Sequence, residues 1–187
     1  WNDRSEVHGP FDIIGDVHGC LGELRTLLED LGWALDFDYA GRAVGASHPQ
    51  GRLAVFVGDL VDRGPDSPGV VRLVMGMVEQ GSALCVSGNH EAKLVRALRG
   101  TTVTVSHGLA QSLEQFGREP DQFRADALAF MDGLVAHYVL DDGRLVVAHA
   151  GLKEEYHGRT SARVRAFALY GDTSGETDEY GLPVRYP

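Results

Sequence analysis

Three short clusters place metal-ligating side chains just past apolar runs: Gly15-Asp16-Val17-His18-Gly19, Gly58-Asp59-Leu60-Val61-Asp62-Arg63-Gly64 and Gly88-Asn89-His90-Glu91. His149 stands in the same way behind Val146-Val147-Ala148. Carboxylate, imidazole and carboxamide together form a hard-to-borderline donor set suited to divalent cations. Asp16 and His18 are two apart, so an extended chain carries both on one side and offers one cation an oxygen and a nitrogen. Asp59 has two carboxylate oxygens and can bridge two ions roughly 3.5–4 Å apart. Asn89 and His149 would serve the second ion. A cation pair at that spacing is the architecture of phosphoryl-ester hydrolysis.

These residues need strand ends to bring them together. Phe11–Gly15 (FDIIG), Leu53–Val57 (LAVFV) and Ala83–Val86 (ALCV) read as buried strands, apolar and continuous rather than alternating. Leucines at 21, 24, 27, 28 and 31 predict a helix over Cys20–Leu31. Pro65 and Asp66 suit the start of a second helix running to Glu79. Asn89–Leu98, Ser106–Phe116 and Asp121–Leu134 read as further helices. Asp141-Asp142-Gly143 is a turn signal between Val135–Leu140 and Arg144–Ala148, which predicts a hairpin. Ala40–Gly51 reads as a loop or weak hairpin, and Tyr170–Pro187 as a surface loop. The β-α-β-α-β opening argues an α/β fold, in which ligands gather at the carboxyl ends of parallel strands.

With 187 residues, 43% hydrophobic and 24% charged, the chain is sized for one well-filled core. No apolar stretch approaches the roughly 20 residues of a membrane span, no secretory leader is visible, and the opening Trp1-Asn2-Asp3-Arg4 without Met suggests an excised domain. Two isolated cysteines, Cys20 and Cys85, fit a reducing compartment and structural roles, so a cytoplasmic location is expected. A net charge of −10, from 27 acidic against 17 basic residues, argues against non-specific coating of nucleic acid. It leaves open a substrate that is one end of a strand, because two bound cations would dominate the local charge.

The combination D-x-H, G-D-x-x-D-R-G, G-N-H-[ED] and a later lone His resembles the calcineurin-like metallophosphoesterases. It is carried here by Asp16/His18, Gly58–Gly64, Gly88–Glu91 and His149. The resemblance implies mixed β-sheets, sandwiched and flanked by helices, in a single metallophosphoesterase domain over 1–187. Asp-Arg-Gly further resembles the subgroup of protein Ser/Thr phosphatases and symmetrical dinucleoside-tetraphosphate hydrolases. Within it, Gly9–Cys20, Ser106-His107-Gly108-Leu109-Ala110 and Tyr170–Pro187 resemble the central phosphatase domain of bacterial polynucleotide kinase-phosphatase, an RNA-repair enzyme. That likeness implies removal of a 2′- or 3′-phosphate, or opening of a 2′,3′-cyclic phosphate, at an RNA end. It also implies kinase and ligase-like modules outside this chain.

The same family supplies a further ligand His from a Gly-His-Thr motif. After His149 only His157 follows, without a preceding Gly, so the chain is expected to stop short of that motif and to leave the second cation one ligand short. The metal set is Asp16, His18, Asp59, Asn89 and His149, with two divalent ions, Mn²⁺ first and Ni²⁺, Fe²⁺ or Zn²⁺ as alternatives. Arg63 matches a phosphate bidentately and is the expected clamp, with Asn89 and His107 as further substrate contacts. The resemblance makes His90 the general acid, a task suited to a group titrating near neutrality. Asp62 either orients it or serves as a helix N-terminal acid. The expected partners are an RNA 3′-end or a small phosphate ester, no membrane, and a second copy in a homodimer. A protein phosphatase, a dinucleoside-tetraphosphate hydrolase and a non-catalytic metal-binding module are the competing readings.

Overall fold

The computed structural model describes residues 1–177 and 183–185. Its centre is a parallel sheet of β2 (Phe11–Ile14), β5 (Leu53–Phe56) and β6 (Ala83–Cys85), with β5 in the middle. A second sheet joins β1 (Asp3–Arg4), β7 (His137–Leu140) and β8 (Leu145–Ala148), β7 pairing parallel to β1 and antiparallel to β8. The sheets face each other through Val55 and Leu84 on one side and Leu140 and Val147 on the other. The alternate residues Ala54, Phe56, Ala83 and Cys85 point away, into a core shared with the helices. Burial on both faces is why β5 and β6 read as unbroken apolar runs, each buried Val, Leu or Phe contributing about 1.5–3 kcal/mol, whereas β2, also expected to be buried, leaves Ile13 49% exposed at the edge of the sheet.

Five helices cover that outer face: α1 (Leu21–Asp30), α2 (Ser67–Glu79), α3 (Asn89–Leu98), α4 (Leu109–Gly117) and α5 (Asp121–Gly133). Leu24 and Leu28 of α1, Val70, Val71, Leu73, Val74 and Met77 of α2, and Leu94 and Val95 of α3 supply the apolar stripes. Asp66 caps α2 by accepting the Gly69 N–H at 2.8 Å. These elements match the sequence-based expectation to within a few residues. α4 begins at Leu109 rather than Ser106, because His107 and Gly108 take φ of 59° and 96° and form a turn first.

Four features depart from expectation. β3 (Ala34–Phe37) and β4 (Ala43–Ser47) form a hairpin against α2, which decides the open reading of Ala40–Gly51 and adds a strand before it. β1 is too short to leave a periodic signal. α6 (Ala162–Tyr170) starts where Ser161 Oγ accepts the Val164 N–H at 3.1 Å and ends at Gly171. The expected surface loop Tyr170–Pro187 instead holds an antiparallel hairpin, β9 (Thr173–Thr177) with β10 (Pro183–Arg185). β9 is polar throughout, and Ser174 Oγ donates across the pair to Val184 O at 3.4 Å, so no hydrophobic pattern announces the two strands. Residues 178–182 and 186–187 of that segment lie outside the described residues. No helix among the described residues is long and apolar enough to cross a membrane.

Candidate metal centre

Every expected ligand sits within four residues of a strand end. Asp16 and His18 follow β2, Asp59 follows β5, Asn89 opens α3 after β6, and His149 directly follows β8. The five converge. Asp59 Oδ2 lies 3.8 Å from His18 Nε2 and 3.4 Å from His149 Nε2, and Asp16 lies 3.9 Å from each of those imidazoles. His149 Nε2 is 3.0 Å from Asn89 Oδ1. Two overlapping donor groups result: His18, Asp59 and His90 on one side, Asp16, Asp59 and His149 on the other. Asp59 is common to both, the position a bridging carboxylate needs.

The imidazoles are held in a ligating tautomer. His18 Nδ1–H donates to Val61 O at 2.8 Å and His149 Nδ1–H to Val57 O at 3.0 Å. Each Nε2 lone pair is thereby left to face the cluster, as second-layer hydrogen bonds to ligating histidines commonly arrange. Three carboxylate or carboxamide residues and two oriented imidazoles, with Asp59 only 4% exposed, fit a divalent pair.

Backbone stitching brings the loops into place. Val17 and His18 N–H both donate to Asp59 O, at 3.1 and 2.8 Å, and Gly19 N–H donates to Leu60 O at 2.8 Å. His18, Asp59, Asp62 and Arg63 take positive φ of 46°, 52°, 72° and 67°, a left-handed conformation that costs non-glycine residues about 1–2 kcal/mol each. The third loop presses so closely that a Cβ on Gly58 would fall 2.4 Å from Gly88 N, and one on Gly88 2.1 Å from Asp59 Oδ1.

Glu91 closes the gap between those two loops. Fully buried, it accepts N–H bonds from Gly88 and Asp59, both at 2.8 Å, on Oε2, and from Leu60 (2.7 Å) and Val61 (3.3 Å) on Oε1. Burial pushes its carboxyl above the ordinary range and the Asp59 charge adds to this, while the N–H bonds pull it back. Sequence reasoning left Glu91 without a role. An acid three residues into a helix after Gly88 is half of a capping box, and that was the available signal.

Of the remaining expected residues, Asp62 and His90 meet: His90 Nδ1–H donates to Asp62 Oδ2 at 2.6 Å. Asp62 is fully buried and its backbone N–H is held by Ser67 and Ser112 hydroxyls, so the orienting reading is the one this geometry accommodates. Burial pulls the His90 pKa down, but the Asp62 hydrogen bond and the Asp59 and Asp62 charges outweigh it and leave it raised. Arg63 is exposed, with Nη2 3.4 Å from His90 Nε2. His107 is also exposed, its Nδ1 2.9 Å from Ser106 Oγ, and it stands on the rim where Gly108 packs against the Arg63 backbone. Cys20 and Cys85 are free thiols.

A dinuclear donor set at the strand ends of an α/β sandwich is the arrangement of a metal-dependent phosphoesterase. The calcineurin-like phosphoesterase family matches residues 9–179, and the chain belongs to that family. It is 42% identical, over 93% of its length and 70% of the relative's, to an asymmetrical bis(5'-nucleosyl)-tetraphosphatase PrpE of Geobacillus thermodenitrificans (strain NG80-2). The corresponding PrpE of Bacillus subtilis (strain 168) is 41% identical over 94% of this chain and 71% of that protein. A solved structure provisionally named a diadenosine tetraphosphatase superposes with a TM-score of 0.56 at 29% identity, covering 86% of this chain and 57% of that one. A yeast protein Ser/Thr phosphatase shares the fold, with a TM-score of 0.54 at 19% identity. The two PrpE proteins and the first of these structures carry the tetraphosphatase name, and none of the four bears the polynucleotide kinase-phosphatase name that the narrower sequence resemblance implied. The chain is a metal-dependent phosphatase of this family.

Proposed function

We propose that this chain hydrolyses phosphate groups of nucleotide substrates through two divalent cations, with a dinucleoside tetraphosphate as the first substrate. The observation that carries the reading is the bridging position of Asp59, one carboxylate oxygen within 3.8 Å of three imidazole Nε2 atoms. The tetraphosphate is favoured by the name shared by relatives about 40% identical over nearly the whole chain. Asp16, His18, Asp59, Asn89 and His149 hold the cations, Mn²⁺ being the expected pair for this oxygen and imidazole mixture. When bound, the cations supply Lewis acidity and an activated water.

The chain's own groups then work on the outer side. Arg63, exposed beside His90, donates its guanidinium N–H groups to the phosphoryl oxygens. His90 holds the proton destined for the leaving oxygen, and Asp62, accepting from Nδ1, fixes the ring so that Nε2 faces the substrate. The His107 turn stands at the rim beside Arg63 and contacts the remainder of the substrate.

A second reading is a 2′- or 3′-phosphate at an RNA end. It is favoured by the Ser106–Ala110 segment, one of the three that carried that resemblance, in which Gly108 packs on the Arg63 backbone. A side-by-side turnover assay with Mn²⁺ decides between them. Diadenosine tetraphosphate is expected to be turned over faster than a 3′-phosphorylated oligoribonucleotide. The reverse order would overturn the tetraphosphate assignment, and no turnover of either with cations bound would favour a binding module.

A further inference from the structure

The chain has two lysines, and they are placed differently. Lys153 is paired with Asp172 at 3.0 Å, whereas Lys93, half-buried on α3, makes no ion pair among the described residues. Its Nζ donates instead to Ser106 Oγ at 2.8 Å. A partly desolvated ammonium without a counter-charge, in a chain of net charge −10, is completed by an anion from outside. We infer that Lys93 holds the phosphoryl group next to the one at the cations, and so selects substrates with a chain of phosphates over simple monoesters. This inference rests on the tetraphosphate reading above.

Two separate sets of contacts put Nζ at the mouth of the metal centre. On α3, Lys93 stands four residues after the ligand Asn89 and three after His90, the spacing that stacks side chains on one helix face. A helical side chain leans toward the N-terminus and covers the turn before its own Cα, here the turn of Asn89 and His90. Leu94 and Val95 take the core-facing side. From the other direction, Ser106 begins the turn that fastens to the phosphate clamp. A Cβ on Gly108 would fall 2.3 Å from Arg63 N and 3.1 Å from Asp62 Cβ, and Ser112 of α4 holds the Asp62 N–H at 2.9 Å. Lys93 therefore lies between the Asn89–His90 turn and the Arg63 loop, and Arg63 Nη2 is itself 3.4 Å from His90 Nε2.

The hydrogen bonds also fix which donors face outward. Nζ has three N–H groups, of which one goes to Ser106 Oγ. An Oγ that accepts from Lys93 directs its own proton to His107 Nδ1, 2.9 Å away, which leaves the His107 proton on Nε2. The rim thus offers two ammonium N–H groups and one imidazole N–H beside the Arg63 guanidinium. That set complements a further phosphate. It is superfluous for a single phosphoryl group, which the cations and Arg63 already engage.

The test compares adenosine diphosphate with adenosine monophosphate by titration calorimetry on the Mn²⁺-loaded chain, at matched free Mn²⁺. The wild type is expected to bind the diphosphate about tenfold more tightly. Lys93→Gln, which can still donate to Ser106 but carries no charge, should erase that preference, and Lys93→Arg should keep it. In turnover, Lys93→Gln should lower kcat/KM for diadenosine tetraphosphate about tenfold relative to that for p-nitrophenyl phosphate, mostly through KM. Equal affinity of the wild type for the two nucleotides, or a preference that survives Lys93→Gln, overturns the proposal. Equal losses on both nucleotides or both esters also overturn it, since they make Lys93 a strut for the 101–108 loop. If the tetraphosphate reading alone is wrong, diadenosine tetraphosphate is turned over no faster than a 3′-phosphorylated oligoribonucleotide, while the diphosphate preference and its loss in Lys93→Gln persist.

Discussion

Glu91→Gln replaces one carboxylate oxygen by NH₂ in a side chain that belongs to neither donor group, yet it should disable the centre. The two carboxylate oxygens receive four backbone N–H groups, two on each. A glutamine retains one acceptor oxygen, and its NH₂ end must face two N–H groups whichever way it is turned. Each buried N–H left without an acceptor costs about 1–3 kcal/mol, so the substitution should lower unfolding free energy by about 2–6 kcal/mol. Glu91→Ala strands all four and should cost about 4 kcal/mol or more, a large share of a typical 5–15 kcal/mol. The N–H groups concerned belong to Asp59, its two successors and Gly88, so the loops bearing Asp59 and Asn89 should also lose their register. Urea titration measures the first effect and Mn²⁺ calorimetry the second, with a fall in cation affinity of tenfold or more expected in Glu91→Gln. A glutamine variant within about 0.5 kcal/mol of wild type, or one that is destabilised while binding Mn²⁺ as before, would refute the positioning argument.

Arg63→Ala should lower kcat/KM on the order of 100-fold by removing two charge-assisted hydrogen bonds, with Lys recovering only part; unchanged turnover would dismiss the phosphate clamp. Saturating Mn²⁺ at about 100 times its Kd should stabilise the fold by about 2.7 kcal/mol and raise Tm by about 5–10 °C relative to chelator-treated protein in a thermal melt. His137 supplies the pH dependence. Its Nε2 accepts Asn2 Nδ2–H at 2.9 Å and Gly158 N–H at 3.1 Å, and burial holds its pKa below the ordinary value. The unfolded chain therefore takes the proton first, so this contribution is fully present above about pH 6.5 and is lost as pH falls through the folded-state value. His137→Asn should flatten that part of a stability-versus-pH curve measured by denaturant titration, and an unchanged slope would contradict the account.

The parallel sheet was legible because burial on two faces leaves unbroken apolar runs such as Leu53–Val57, and the ligands were legible because each directly follows such a run. Asp62 shows the limit: its partner His90 is 28 positions away, and no spacing rule distinguishes an orienting acid from a helix-start acid. The carbonyls of Val57 and Val61 that fix the histidine tautomers are backbone atoms, invisible to residue type. α6 escaped because Ala162–Tyr170 alternates Arg with small and aromatic residues and shows no clean stripe, although Ser161 marked its start. The polar β9–β10 hairpin escaped for the same physical reason, since it is not built on apolar burial.

Gly58 and Gly88 pack so closely that neither loop has room for a side chain there, and the ligands these loops carry meet others from strand ends as late in the chain as His149. Cation capture must then be a late event in biogenesis. A nascent chain that stops before His149 lacks a ligand and cannot assemble the pair, whatever metals surround it. A one-residue slip of β6 against β5 would abolish the whole centre instead of weakening it, which makes metal content a sensitive gauge of correctly completed folding.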